Sequence, residues 1–468
     1  MNNLYILTEE RAKPNVIEYI LDIYSKEYHK KLNRNSNELK IIPNINSKKV
    51  FTNEFKIINT KIEGIDDIIL KIASGNSSFV DFLVFEQSSA PKETQVNNEN
   101  DGNNLKLLIE ETKTSDKESR NTGVYQRMSK FVYADYFYPN TPKIMLYNIA
   151  KRDDDKKPSD TSIFGTNMLL TQNVKIVGKD LKHFNKFNSI DELITYKNNM
   201  RKPPAGNVPI EITKNSDSIE ISGRLEKPQG KGNIAHDPNI GALTAISKTL
   251  RSLGWDKDII ITKHGVKQEY VDKTSSNKFF NISSILDMKL DGIDMVNKKI
   301  KINQYWHYEK NSEKNGTILL HLIAITDSPN TEAIYENHAG CERGYFYTTN
   351  DELALPKKDK NGINLYLPDL ILKNEANKEI LLIEGKQSST LNQGLEEIKH
   401  FGSIEDEFIK KYYPGYSITR WVTTFGENIY PNGLNSKVLF HLNKNGTYLL
   451  NENAPEWLKD LFERVINY

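Results

Sequence analysis

Cysteine is almost missing from this chain: one residue, Cys341, in 468. That excludes a disulfide framework and a cysteine-built zinc site. Long apolar runs are also missing, and none approaches the roughly 18 residues of a membrane span. Charge of one sign is not in excess, since 63 Lys and Arg face 62 Asp and Glu. Nucleic-acid binding would therefore need local patches, because the whole chain supplies no positive bias. The nine histidines show no ligand spacing, as "ENHAGCERG" and "QYWHYEK" illustrate, and no G-x-S-x-G elbow is present. The segment "GRLEKPQGKG" is not a phosphate-binding loop. Its glycines Gly223 and Gly230 are spaced too widely, and Gly232 stands where Ser or Thr is needed. The start "MNNLYILTEERAKPNVIEYI" carries no signal-peptide pattern, so a cytoplasmic location is expected. The 37% hydrophobic content suffices for folded cores, and the length suits two to four domains.

What is present is an unusual placement of charge. "LPDLILKNEANKEILLIEGKQ", Leu367 to Gln387, reads as two strands around a polar turn, with Asp369, Glu384 and Lys386 among Leu and Ile. Charges inside an apolar strand need partners, a metal or a function. Alternation puts Leu382, Glu384 and Lys386 on one face and Leu381 and Ile383 on the other. The hairpin brings two carboxylates and one ammonium together. Neighbouring carboxylates repel unless a cation lies between them, and hard oxygen donors with open positions suit Mg²⁺. The lysine is placed to neutralise a phosphate or polarise a water, which is a phosphodiester-cleaving constellation.

An E-x-K triplet alone carries nothing; Glu54-Phe-Lys56 and Glu397-Ile-Lys399 lack the context. A second copy has it. "SSFVDFLVFEQ" bears Asp81, and "LKLLIEETK" follows with Leu107, Ile109, Glu111 and Lys113 read on one face. Then come a helix, "TGVYQRMSKFVYADYF", and a strand, "PKIMLYNI". The C-terminal copy continues likewise, with "TLNQGLEEIKHFGSIEDEFIKKYY" and "SITRWVTTF". The order strand, strand, helix, strand thus occurs twice. The polar stretch "QSSAPKETQVNNENDGNN" reads as a surface loop inserted in the first hairpin.

Both segments resemble the PD-(D/E)xK nuclease superfamily, whose best-known members are type II restriction endonucleases. Pro368-Asp369 with Glu384-Gly-Lys386 is the full pattern; in the first copy Val80 stands where the Pro would be. The resemblance covers about 70 residues around each motif. It implies an α/β fold (α+β, mixed sheets) with two such cores flanking a DNA-recognition module. It implies a Mg²⁺-dependent type II site-specific deoxyribonuclease acting on double-stranded DNA, with a cognate DNA methyltransferase as a separate protein. The catalytic set is Asp369, Glu384, Lys386, Asp81, Glu111 and Lys113. The Mg²⁺ ligands are Asp369, Glu384 and the Gly385 carbonyl, and Asp81, Glu111 and the Thr112 carbonyl.

The expected segmentation is 1–150 for the first core, 151–208 for connecting elements, 209–340 for DNA recognition and 341–468 for the second core. "AKRDDDKKPSD" reads as a linker, and "RKPPAGNVP" marks a boundary near 201–209. In the middle module "HDPNIGALTAISKTLRSLGW" reads as a helix, with Asp237 as cap, Pro238 in the first turn and Gly254 at the stop. Leu243, Ile246, Leu250 and Leu253 form its buried stripe. Residues 201–300 hold 16 Lys and Arg against 12 Asp and Glu. Lys248, Arg251, Lys263 and Lys267 are the candidate DNA contacts. Two unlike sites in one chain suit an asymmetric recognition sequence, each cutting one strand. The alternative is a single-site nuclease, or a DNA-binding or repair protein, in which the first core is vestigial.

Overall fold

The computed structural model describes residues 2–468 apart from 10–11, 36–37, 76–77, 96–103, 113–122, 148–157, 201–207, 228–229, 235–236, 275–276, 296–303, 310–312, 337–342, 349–351, 357–364 and 428–432. It is a mixed α/β protein with several mixed sheets. No helix among the described residues is long and apolar enough to cross a membrane. The chain forms two compact units, one of Met1–Ala73 with Tyr308–Tyr468, the other of Ser74–His307. This division does not coincide with the four expected segments. The first unit takes its sequence from both ends of the chain, and the first motif copy shares the second unit with the middle module.

In the first unit an eight-stranded sheet runs in the order Glu352–Pro356, Arg343–Tyr347, Thr331–Glu336, Leu370–Asn374, Glu379–Gln387, Ser417–Gly426, Val438–Asn443, Tyr448–Leu450. Leu370–Asn374 and Glu379–Gln387 are antiparallel, with Leu370 opposite Ile383. Glu379–Gln387, Ser417–Gly426 and Val438–Asn443 are mutually parallel. Asp369 immediately precedes its strand. Both sheet faces are covered, which is why the central strands read as continuous apolar runs. One face carries Ile371, Ile380, Leu382 and Val422 against Ile398, Phe401, Ile404, Ile409 and Tyr413 from the segment after Lys386. That segment, read as one helix, is broken into short α, 3₁₀ and π turns between Ser388 and Tyr412.

The helix Glu313–Ile325 packs across the sheet against Glu379–Gln387 and Ser417–Gly426. It also packs on the strand Lys40–Ile45 from the N-terminal stretch and on the helix Glu456–Ile466. Contacted on several sides, it is apolar nearly all round, with Ile318, Leu319, Leu320, Leu322, Ile323 and Ala324 buried. Thr326 Oγ1 donates to the Ile41 carbonyl at 3.2 Å, and Lys40 pairs with Asp327. The N-terminal strands Asn2–Thr8 and Ile65–Gly75 are parallel, and Phe51–Ile58 joins them antiparallel.

In the second unit Phe82–Gln87 is antiparallel to Leu105–Thr112, which is parallel to Lys143–Tyr147, in turn parallel to Lys175–Val177. This repeats the strand directions of the first unit's central sheet. The register repeats as well: Phe82 faces Ile109 as Leu370 faces Ile383. The helix Gly123–Phe137 lies between the second and third strands in sequence. The inserted stretch after Gln87 is not wholly a surface loop. Thr94 is buried and pairs with Trp306, and its hydroxyl bonds to Tyr138; residues 96–103 lie outside the described residues. The expected linker after Ala150 and the boundary at 201–207 lie largely outside them too. Residues 160–200, which the sequence left unassigned, contribute the helices Asp160–Thr171 and Ile190–Asn199.

The middle module is a four-stranded sheet, Ile212–Lys214, Ser218–Ser222, Asp258–Thr262 and Met288–Leu290, the last three parallel. The helix Asp237–Ser252 has Leu243, Ile246 and Leu250 buried as expected. It ends in a Schellman motif: Gly254, at φ +92°, donates to Arg251 O at 3.1 Å, and Trp255 to Leu250 O at 3.0 Å. It also packs on Gly123–Phe137. A Cβ on Gly241 would lie 2.8 Å from the Gln126 backbone nitrogen, so glycine permits the close crossing. The module is therefore built onto the first core.

Candidate active sites

In the C-terminal copy Asp369, Glu384 and Lys386 converge. Asp369 Oδ2 accepts the Gly385 N–H at 2.8 Å. Lys386 Nζ bonds to Glu384 and lies 2.8 Å from Glu397 Oε2. A Cβ on Gly385 would meet Thr317 Oγ1 at 2.6 Å and Asp369 Oδ2 at 3.1 Å, so glycine relieves crowding against Thr317. Burial, then the Asp369 charge, pushes the Glu384 carboxyl up to about 9. Burial opposes the charge on Lys386, but Glu384 and Glu397 outweigh it and hold the ammonium protonated. Glu313, in the first turn of its helix, is raised by burial and by Asp369 and accepts a backbone hydrogen bond from Gln387. Glu384, Glu397 and Glu313 are thus coupled to the Lys386 ammonium, and Asp369 to Glu384 and Glu313. The Tyr335 hydroxyl is buried without a hydrogen-bond partner among the described residues. Burial, and then the charges of Asp369 and Glu384, raise its pKa, so it lies within their field.

The donor set suits Mg²⁺: two neighbouring carboxylates, a backbone carbonyl between Glu384 and Lys386, and a hydroxyl that a bound water would satisfy. No group of three or more His, Cys, Asp or Glu gathers as a metal site by side chains alone among the described residues. A cation here would keep waters.

The first copy has the same strand register, which places its motif one residue earlier than the expected Glu111-Thr112-Lys113. Asp81 Oδ2 accepts the Glu111 backbone N–H at 2.7 Å, so Glu111 occupies the place of Gly385. The carboxylate accompanying Asp81 is Glu110, which accepts the Asp81 N–H at 3.2 Å. Alternation sends the Glu111 side chain to the other face, and Thr112 stands at the position of Lys386. Lys113 lies outside the described residues. The cation present is Lys130, on the helix Gly123–Phe137. Its Nζ is 3.1 Å from Asp81 Oδ1, and 2.7 and 2.9 Å from the two Glu110 oxygens. Arg127 Nε donates to the Glu111 carbonyl at 3.1 Å and lies 3.7 Å from Glu110 Oε1. Burial, reinforced by Asp81, pushes Glu110 up to about 8.

The candidate DNA contacts divide. Lys248 Nζ pairs with Asp135 at 3.0 Å. Arg251 donates to the carbonyls of Leu286, Trp255, Lys257 and Asp287 at 2.6–3.0 Å, a structural use of its whole guanidinium. Lys263 and Lys267 are exposed. Between them His264 is buried; its Nδ1 accepts the Val266 N–H and its Nε2 faces the Asp291 carbonyl.

Sequence reading missed Glu110, Arg127, Lys130, Glu313 and Glu397. For Glu110 a signal existed: Leu107-Leu108-Ile109-Glu110 and Leu381-Leu382-Ile383-Glu384 are the same four residues. No family model matches the chain, and comparison with curated proteins and with solved structures finds no match.

Proposed function

We propose that this chain is a divalent-cation-dependent endonuclease acting on double-stranded DNA, of the type II restriction class, with its chemistry at Asp369, Glu384 and Lys386. The observation that carries the reading is the meeting of two carboxylates, a glycine carbonyl and a lysine at the end of one hairpin. Asp369, Glu384 and the Gly385 carbonyl would hold Mg²⁺. The bound cation would stabilise charge on a phosphoryl oxygen and ease deprotonation of water. Lys386 presents its ammonium toward the phosphate, and Glu397 keeps that ammonium in place. Lys263 and Lys267 offer charge for phosphate contacts.

The test is a digest of mixed duplex DNA with Mg²⁺, followed by mapping of the ends. Discrete ends that vanish in excess EDTA and in Asp369→Asn support the reading. DNA binding without cleavage under any divalent cation would replace it with a binding or repair role.

A further inference from the structure

We propose that the first core is a closed counterpart of the second, its cation seat filled by the protein's own Lys130, so that each chain carries one metal-binding site. This rests on the nuclease reading for what the second core does, but its evidence lies in the first core alone.

The equivalence of the two hairpins follows from strand register. Asp81 bonds to the backbone N–H of Glu111 at 2.7 Å, as Asp369 bonds to that of Gly385 at 2.8 Å. The three oxygen donors of the second core are Asp369, Glu384 and the Gly385 carbonyl; their counterparts are Asp81, Glu110 and the Glu111 carbonyl. Each counterpart is already engaged by a cationic side chain. One ammonium bridges Asp81 and Glu110, within 3.1 Å of both. The Arg127 guanidinium takes the carbonyl. Two carboxylates are therefore matched by two cations.

A divalent ion entering the first core would have to expel an ammonium from a carboxylate whose side chain is 2% exposed. It would also have to lie beside a guanidinium already on its carbonyl ligand. Breaking such a buried pair is strongly unfavourable. Thr112, where the second core has its lysine, offers no ammonium toward a substrate. Arg127 and Lys130 are three positions apart on one helix, so a single helical face supplies both blocking charges. Asp81, Glu110 and the Glu111 carbonyl therefore do not fit the ion.

Mn²⁺ binding to the full chain, followed by the EPR signal of the free ion, tests this. Wild type should bind one equivalent, Asp369→Ala none, and Asp81→Asn one. Lys130→Ala, by vacating the seat, should bind a second equivalent that Lys130→Ala/Asp81→Asn lacks. Lys130→Gln, which keeps hydrogen bonding without charge, serves if the alanine variant does not fold. Two equivalents in wild type, one of them lost in Asp81→Asn, would overturn the inference and leave the nuclease reading intact. No binding in wild type with one equivalent gained in Lys130→Ala would overturn the second core's assignment, and with it the count of one site per chain, and keep the closed first core. No gain in either Lys130 variant would refute the inference.

Discussion

Asp369 holds the backbone N–H of Gly385 at 2.8 Å, and that bond fixes the carboxylate against the neck of the hairpin. A side chain at that position would crowd Thr317, whose Oγ1 would lie 2.6 Å from an added Cβ. Gly385→Ala should fold with a stability loss of about 1–3 kcal/mol from overpacking. Its cleavage rate should fall about 10²-fold from displacement of Asp369. Adding Thr317→Ala should recover much of the thermal stability in a melting experiment; unchanged destabilisation would show that the clash lies elsewhere.

Lys386 is shared between Glu384 and Glu397, so its removal should separate chemistry from cation binding. Lys386→Ala should lower single-turnover cleavage by about 10²–10⁴-fold while still binding Mn²⁺. Glu384→Gln should lose both. A Lys386→Ala variant cleaving at the wild-type rate would remove lysine from the mechanism.

Arg251 and the pair Lys263 and Lys267 should behave oppositely. Arg251→Ala leaves four carbonyls short of a donor and should cost about 2 kcal/mol or more of stability, read as a lowered Tm. Lys263→Ala and Lys267→Ala should leave Tm in place and reduce the salt dependence of DNA binding, each by a slope of about 0.9. An unchanged slope would move the DNA surface away from this end of the sheet.

His441 is buried at 1% exposure with Nδ1 2.9 Å from Thr424 Oγ1, and burial holds its pKa below the usual imidazole value. Between that depressed pKa and about 6.5 the unfolded chain binds more protons than the folded one. The neutral ring's stabilising contribution is therefore full above about pH 6.5 and is lost as pH falls toward the folded value. His441→Gln should lack this component. The wild-type Tm should drop faster than the variant's between pH 7.5 and 5.5, and parallel curves would exclude the histidine as the cause.

The C-terminal hairpin was legible because period-two alternation and a four-residue turn fix which side chains share a face. In the first hairpin the long insertion after Gln87 hides the register, and the Glu110-Glu111 doublet offers two answers one residue apart. The repeated Leu-Leu-Ile-Glu could have chosen between them. Glu313, Glu397, Arg127 and Lys130 reach the hairpins from helices, and local periodicity does not say where a helix docks. Arg251 looked like a DNA contact because composition counts charge, and composition cannot see four backbone carbonyls around it. The segmentation failed to predict a unit assembled from both ends of the chain, since that pairing is nonlocal.

That split unit also sets an order of events during synthesis. The strand Lys40–Ile45 packs on the helix Glu313–Ile325, yet the whole of Ser74–His307 is translated between them. At about 5–20 residues per second this takes on the order of 10–50 s. Throughout that interval the strand has no helix to lie against, while the intervening unit completes its own contacts once His307 has emerged. Ribosomal stalling or truncation within that stretch would release chains with an uncovered apolar strand, which are prone to aggregate.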